Sequence, residues 1–509
     1  MTFEIVFVLL SLLGMVAALV ADKMRPGMIL FSVVVLFLCA GILTPKEMLE
    51  GFSNKGMITV ALLFLVSEGI RQSGTLGQVI KKLLPQGKTT VFKAQLRILP
   101  SVAFISAFLN NTPVVVIFAP IIKHWAKSVN LPATKFLIPL SYVTILGGIC
   151  TLIGTSTNLV VHGMILEAGF EGFSMFELGK VGIFIAIAGI IYIFLFSKRL
   201  LPDARPDTAV PDEEVEEGEK LHRVEAVLGA RFPGINKKLK DFNFQRHYGA
   251  EVKEIKTRNG QRFVTNLDDV VLHEGDTLVV MADDTFIPTW GESSVFVLLT
   301  NGNEPDTTGK KKRWFALLLL VLMIVGATVG ELPITKEMFP GIKLDMFFFV
   351  SITTIIMAWT NLFPARKYTK YISWDILITI ACAFAISKAM VNSGVADSVA
   401  KFIIGLSDDY GPHVLLAMVF IITNLFTELI TNNAAAALAF PLALSISAQL
   451  GVSPTPFFVV ICMAASASFS TPIGYQTNLI VQGIGNYKFT DFVPVSYTHL
   501  RAHETRGNL

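Results

Sequence analysis

Charge is scarce in this sequence. Only 16% of its 509 residues are Asp, Glu, Lys or Arg, and 52% are hydrophobic, whereas soluble domains carry about 25% charged residues. Much of such a chain must face something other than water. Cysteine is scarce too. Cys39, Cys150, Cys382 and Cys462 all lie inside apolar runs, without the paired spacing of zinc ligands or of a disulfide framework. No G-x-x-x-x-G-K-[ST] phosphate loop, nucleophile–base constellation or metal-ligand spacing occurs. These absences exclude an ATP-driven engine and point away from an enzyme or a resident cofactor. The net charge of +3 is spread over loops, which leaves no basic stripe for nucleic acid.

Long apolar stretches are abundant. Runs near 3–21, 26–43, 56–72, 135–165, 180–198, 313–331, 343–360, 375–393 and 455–485 are each expected to cross a bilayer, which takes about 20 helical residues. The first run lacks a basic n-region and an A-x-A site, and a second span follows at once, so it reads as a span and not as a cleaved signal. The chain is predicted to be a multi-pass protein of the cell (inner) membrane.

One stretch differs. From Asp203 to Gly309 the chain turns polar. A linker over 201–220, with Asp212, Glu213, Glu214, Glu216 and Glu217, is expected to be unstructured. Alternating runs at 251–255 and 277–281 read as strands, with His273-Glu274-Gly275-Asp276 as a turn between them. Residues 221–309 thus form a small α/β insert between membrane blocks 1–200 and 310–494.

The two blocks repeat each other. Gly154 to Gly163 reads GTSTNLVVHG and Gly474 to Gly483 reads GYQTNLIVQG, an offset of 320 (474 − 154). Ser67, Ser73 and Gly74 match Ser387, Ser393 and Gly394 at that offset. Asn110-Asn111-Thr112 pairs with Asn432-Asn433-Ala434 after a shift of one or two residues. Glu68 and Lys388 also correspond, and their opposite charges predict an ion pair across the pseudo-two-fold axis.

Loop cations set the orientation. Lys81, Lys82, Lys88, Lys93 and Arg97 precede the first Asn pair, and Lys123 and Lys127 follow it. Lys198, Arg199, Lys310 to Arg313, Arg366, Lys367 and Lys370 mark other loops of one side. With all of them cytoplasmic, the first Asn segment enters and leaves from the cytoplasm as a re-entrant hairpin. The second, next to Asp408 and Asp409, enters from outside. The halves are then inverted repeats, a design common in secondary transporters, and the insert is cytoplasmic.

An Asn amide in hydrocarbon needs a partner. At a hairpin tip it offers carbonyl oxygens to a cation, and the half-helix that follows points its positive end at an anion. Pro113 suits the first turn of such a half-helix. The alternative is a hydrogen bond between packed spans. Gly154 with Thr155-Ser156-Thr157-Asn158, and Gly474 with Tyr475-Gln476-Thr477-Asn478, break long apolar runs and free carbonyls that suit Na⁺. The alternative there is a merely kinked helix. Glu428, four residues before Asn432, is read either as a proton or cation site or as a solvated charge at the external mouth.

SAFLNNTPVVVIFAPI, GGICTLIGTSTNLVV, TELITNNAAAALAFPLAL and STPIGYQTNLIVQG resemble the divalent anion–sodium symporters of the ion transporter superfamily, over about residues 1–494. The resemblance implies an α-helical, inverted-repeat elevator fold with re-entrant hairpins, a homodimer, and uptake of sulfate or a di- or tricarboxylate with Na⁺ as coupling ion. It implies an anion site lined by Asn111, Thr112, Asn433 and Ala434, with Thr157 and Thr477. It implies one sodium site at Asn110 and Asn111 with Gly154, Thr155, Ser156 and Asn158. A second would lie at Asn432 and Asn433 with Gly474, Gln476 and Asn478. The family's second Ser-Asn-Thr tip is absent, which leaves sulfate or another inorganic anion open. A sodium/proton or arsenite-type antiporter and a regulated channel are the competing readings. The insert, EAVLGARFPGINKKLKDFNFQRHYGAEVKEIK with LHEGDTLVVMAD, resembles the C-terminal lobe of potassium-transport regulatory domains, which implies an unidentified cytosolic ligand. The tail over 495–509 resembles translated adapter sequence, so a last helix near 500–518 is expected in its place.

Overall fold

The computed structural model describes residues 3–21, 24–203, 222–229, 231–257, 261–283, 286–290, 295–300, 309–339, 341–405, 411–472 and 474–492. The acidic run at 212–217, Asp408, Asp409 and the tail lie outside them.

The first block comprises α1 (Phe3–Val20), α2 (Pro26–Cys39), α3 (Pro45–Glu50), α4 (Lys55–Gln72), α5 (Thr75–Leu83), α6 (Val91–Ser106), α7 (Asn111–Ser128), α8 (Thr134–Gly148), α9 (Ser156–Glu167) and α10 (Gly179–Leu200). The insert comprises β1 (His222–Leu228), α11 (Phe244–Tyr248), β2 (Glu251–Lys256), β3 (Arg262–Phe263), β4 (Thr277–Ala282), α12 (Phe286–Trp290) and β5 (Phe296–Thr300). The second block comprises α13 (Lys310–Gly330), α14 (Pro333–Met338), α15 (Met346–Trp359), α16 (Tyr368–Tyr371), α17 (Trp374–Asn392), α18 (Val395–Gly405), α19 (Pro412–Leu429), α20 (Asn432–Leu450), α21 (Thr455–Ser466) and α22 (Gln476–Gly485).

Among the described residues, seven segments are long and apolar enough to cross a membrane. The runs at 26–43 and 343–360 give shorter helices than expected, because left-handed residues Gly41 (φ 72°) and Asn361 (φ 51°) turn the chain just after α2 and α15. Burial sorts the helices. Every residue of α8 is buried, as for a helix that is apolar all round and central. By contrast α1, α10 and α13 expose Leu10, Phe184 and Trp314, faces suited to acyl chains.

The repeat extends far beyond the matched motifs. Helices α2 and α15 begin 320 residues apart (346 − 26) and end 320 apart (359 − 39). Left-handed Gly41 matches Asn361, and Gly74 matches Gly394 (394 − 74). From the hairpins the offset becomes 321: α7 starts at Asn111 and α20 at Asn432, α8 at Thr134 and α21 at Thr455. It returns to 320 at Ser156 and Gln476, the starts of α9 and α22. One residue is therefore gained before the second hairpin and lost again in the break.

One ion pair stands where the repeat holds the same two charges exchanged. Lys55 at the start of α4 pairs with Asp345, which caps α15. The corresponding residues are Asp375, in the first turn of α17, and Arg25, just before α2. Glu68 does not pair with Lys388. Its carboxylate accepts from Arg71 Nη2 (2.6 Å) and Nε (2.8 Å) and from Gln72 Nε2, since partners three and four residues away on one helix need no long-range assembly.

The blocks run in opposite directions. Gly483 near the end of α22 lies against Thr277 of the insert, and Tyr487 donates from Oη to the Thr134 carbonyl at the start of α8. So α8 enters from the side at which α22 leaves, while α21, the counterpart of α8, enters from the other. The insert is one antiparallel sheet, ordered β3-β2-β4-β1-β5, over an aromatic core that includes Phe232, Phe242, Phe244, Tyr248 and Phe296. The strands read at 251–255 and 277–281 are β2 and β4.

Candidate anion and cation site at the pseudo-two-fold centre

Both long apolar runs break where their glycines stand. Residues 149–155 separate α8 from α9, and 467–475 separate α21 from α22. A Cβ on Gly154 would collide with the Gly148 carbonyl, and one on Gly474 with Ser468 Oγ. The loop folds back over the end of the preceding half-helix, so neither position has room for a side chain.

Each break is tied by the asparagine that follows it. Asn158 Nδ2 donates to the carbonyls of Thr151 (2.8 Å) and Gly148 (3.4 Å). Asn478 Nδ2 donates to those of Ser468 (2.9 Å) and Thr471 (3.2 Å). The hairpin tips repeat in the same way. Ser106 Oγ lies 2.9 Å from the Asn111 amide and donates to the Thr144 carbonyl. Thr427 Oγ1 donates to Asn432 Oδ1 (2.8 Å) and to the Ala465 carbonyl. This register matches Asn111 with Asn432, and Thr112 with Asn433.

The tips then cross over. Thr112 Oγ1 of the first hairpin donates to Gln476 Oε1 of the second break (3.3 Å). Ser156 Oγ and Thr157 Oγ1 of the first break donate to Asn433 Oδ1 of the second hairpin (3.4 and 3.2 Å). Thr112–Gln476 and Asn433–Ser156 are images of each other across the repeat. Helices α7, α9, α20 and α22 all start at this centre, and α6, α8, α19 and α21 all end there. Converging N-termini attract an anion, and converging C-terminal carbonyls attract cations.

A family model described as citrate transporter, CitMHS, matches residues 16–451 and again 348–500. The chain belongs to the citrate transporter family. An uncharacterized transporter of Synechocystis is 29% identical over 91% of this chain and 89% of its own length. Transporter YfbS of Escherichia coli, also uncharacterized, is 25% identical over 97% and 96%. Sodium/sulfate cotransporter 1 of Chlamydomonas reinhardtii is 33% identical over 56% and 32%. This citrate transporter family member is a multi-pass membrane transporter and not an enzyme.

Within it, most of the expected site residues meet at the centre, but not as equals. Asn111 is 1% exposed. The amide orientation that satisfies its surroundings donates to Ser106 Oγ, the Thr144 carbonyl (3.1 Å) and the Gly154 carbonyl (3.2 Å), and accepts from Tyr475 Oη (2.5 Å). That amide is fully used inside the protein. Asn110 and Ser156 line a small cavity with Ser67, Phe108, Leu320 and Met323. Ala434 belongs to the apolar cluster with Ile386, Ile430 and Leu438. Thr477 is buried and accepts from Ser141 Oγ (2.8 Å). Glu428 braces the second break: its oxygens accept from Ser470 N (3.0 Å) and Thr471 Oγ1 (2.9 Å). In the first break Thr151 Oγ1 donates instead to the Ala107 carbonyl, so a carboxylate stands on one side where a peptide oxygen stands on the other.

Open acceptors remain. Asn478 Oδ1 accepts from Ser141 Oγ (2.7 Å), but Cys462 occupies the matching position, and Asn158 Oδ1 is left without a partner among the described residues, as are Thr431 Oγ1 and Ser468 Oγ. Buried oxygens of this kind are sodium-type ligands. Sequence reasoning missed Tyr475, whose hydroxyl links Asn111 to Thr155 Oγ1 (3.1 Å). Its signal was there: Thr155 has Tyr475 as its repeat partner, the largest change of size inside the matched decapeptides.

Proposed function

We propose that this chain is a sodium-coupled symporter that takes up sulfate or another divalent anion such as a dicarboxylate. The observation that carries the reading is the crossed pair Thr112–Gln476 and Asn433–Ser156, set where four half-helix N-termini converge. Such a centre neutralises a dianion with dipoles and amides, while the carbonyls and open oxygens beside it neutralise Na⁺. Asn110, Gly154, Thr155 and Asn158 form the first cation site in this reading, and Asn432, Asn433, Gly474 and Asn478 the second. The sodium/sulfate cotransporter relative and the citrate family model support an anionic cargo.

The same reading assigns an elevator motion. Helix α2 packs with α17 and α4 with α15, and these pairs border the hairpins and broken helices where α17 meets α20 and α4 meets α9. In this motion the hairpins and broken helices carry the site across the membrane past those borders. The insert lies in the cytoplasm and resembles a regulatory lobe.

The test is uptake of radiolabelled sulfate, succinate and phosphate into proteoliposomes, with and without an inward Na⁺ gradient. Accumulation of one dianion that collapses without Na⁺ supports the symporter; uptake indifferent to Na⁺ overturns it. Glu428, the carboxylate at the second break, favours one second reading, an antiporter that exchanges protons. Uptake driven by a proton gradient alone, and lost in Glu428→Gln, would establish it.

A further inference from the structure

Thr155 and Tyr475 are repeat images of each other (475 − 155 = 320), and they touch. Thr155 Oγ1 lies 3.1 Å from Tyr475 Oη. A residue that meets its own image stands at the axis relating the halves, so the pseudo-two-fold axis passes between these two side chains. Each immediately precedes an inner half-helix, Thr155 before α9 and Tyr475 before α22. Their backbones match, with φ −142° and ψ 148° against φ −139° and ψ 133°, and neither side chain caps its own helix. At this position the halves differ in what the same backbone carries: a small hydroxyl side chain on one side and a phenol ring on the other.

The ring fills the axis. From the second break its hydroxyl reaches the first hairpin tip, where it donates to the Asn111 amide oxygen (2.5 Å), as well as Thr155 of the first break. Tyr475, Thr155 and Asn111 are all buried. The crossed partners Thr112, Ser156 and Gln476 are half-buried or exposed. The centre thus has two layers. An outer one of Thr112, Ser156 and Gln476 can meet a polar ligand, and an inner one is closed by the phenol. With a threonine at 475, as the repeat supplies at 155, the inner layer would open along the axis by the volume of the ring.

We propose, on the reading of this centre as a dianion site, that Tyr475 is its specificity-determining residue. The ring stops the anion at the outer layer and limits the cargo to compact dianions with one charged centre, such as a tetrahedral oxyanion. Dianions that carry two carboxylates on a carbon chain are excluded. The crossed bonds Thr112–Gln476 and Ser156–Asn433 set polar groups on both sides of the axis. A tetrahedral dianion presents oxygens in all directions from one atom and faces both sides at once. A chain dicarboxylate needs room for its second carboxylate, and the ring holds the room along the axis. The hydroxyl has a separate task, which is to tie the first hairpin tip to the first break.

The test compares the full-length parent with Tyr475→Phe and Tyr475→Thr in proteoliposomes, by initial uptake of radiolabelled sulfate and succinate with Na⁺ or K⁺ outside. In the parent, unlabelled thiosulfate should compete with sulfate, and succinate at the same concentration should not. Tyr475→Phe keeps the ring and loses the hydroxyl, so sulfate uptake should fall while its preference over succinate stays. Tyr475→Thr should raise the ratio of succinate to sulfate uptake about tenfold, the low end of discrimination by the shape of a pocket. A merely structural tyrosine would lower both anions alike in both variants. A second readout needs the parent alone. The rise in its unfolding temperature in detergent with Na⁺ should be larger with sulfate or thiosulfate than with succinate. Succinate that matches thiosulfate in the parent, or an unchanged ratio in a folded Tyr475→Thr, overturns the role of Tyr475. Selective uptake that is equal in Na⁺ and K⁺ overturns the coupling and supports that role. A parent that neither takes up nor binds any of the three anions overturns both.

Discussion

Thr112 and Gln476 lie 364 residues apart (476 − 112) and share a 3.3 Å hydrogen bond, and the repeat reproduces it as Asn433 with Ser156 at 3.4 Å. Each hairpin thus reads the opposite half's break. A load on one tip is felt by the other half, which is what coupling an anion to a cation requires.

The first prediction separates the two asparagines. Asn433→Ala removes the acceptor for Ser156 and Thr157 and should abolish Na⁺-driven uptake with little loss of stability. Asn111→Ala should also abolish uptake, but it leaves the Gly154 carbonyl without its donor and takes one partner each from Tyr475 Oη, which keeps Thr155, and from the Thr144 carbonyl, which keeps Ser106. Buried unpaired groups cost about 1–3 kcal/mol each, so thermal unfolding in detergent should fall clearly in Asn111→Ala and only slightly in Asn433→Ala.

The second concerns the break glycines. In Gly154→Ala the new Cβ meets the Gly148 backbone, which has no way to yield; in Gly474→Ala it meets Ser468 Oγ, a removable side-chain atom. Both should lose uptake. Adding Ser468→Gly should relieve the clash and restore the stability of Gly474→Ala, whereas no side-chain truncation should restore that of Gly154→Ala. Thermal unfolding of the double variant in detergent, set against its parents, decides.

How much of this was legible in the sequence follows from the residues. The breaks were legible because Gly154 and Gly474 interrupt apolar runs and polar residues follow at once. The tips were legible because paired asparagines do not belong in hydrocarbon. The register was legible only in part. A shift of one or two residues shows between the tips, but pairing Asn110 with Asn432 sets it at 322 (432 − 110), and the helix starts at Asn111 and Asn432 fix it at 321 (432 − 111), a gain of one residue that is cancelled in the break. The Lys55–Asp345 pair was not legible because its residues lie 290 apart and meet only once α4 and α15 pack. Lys388 was assigned to Glu68 because sequence comparison overlooked the nearer Arg71.

The third prediction tests Glu428. Glu428→Gln keeps the size of the side chain, removes its charge and turns an amide nitrogen toward Ser470 N or Thr471 Oγ1. The second break loosens. The Na⁺ concentration for half-maximal uptake should rise about tenfold, equal to about 1.4 kcal/mol, with a smaller change for the anion. Equal changes for both would show that Glu428 acts on the fold and not on the cation.

The fourth concerns pH. Burial pushes the Glu225 carboxyl up, but Lys123, Lys256 and Arg223 outweigh it and hold it at about 2. A depressed carboxylate contributes stability above its unfolded pKa, about 4.3, and loses that contribution as pH falls through the folded value, here about 2. The Lys123–Glu225 contact should therefore be intact from pH 8 to pH 5. The stability that Glu225 gives in thermal unfolding, measured as parent minus Glu225→Gln, should not change over that range, and a loss of that difference between pH 8 and pH 5 would contradict the assignment.

The central claim is sodium-coupled dianion uptake through the crossed tips. Its most direct measurement is the initial rate of sulfate and succinate entry into proteoliposomes holding the parent or Asn433→Ala, with Na⁺ or K⁺ outside. The account predicts accumulation of one of these dianions by the parent with Na⁺ alone, and none by the variant. Equal entry with K⁺, or undiminished entry in Asn433→Ala, would contradict it.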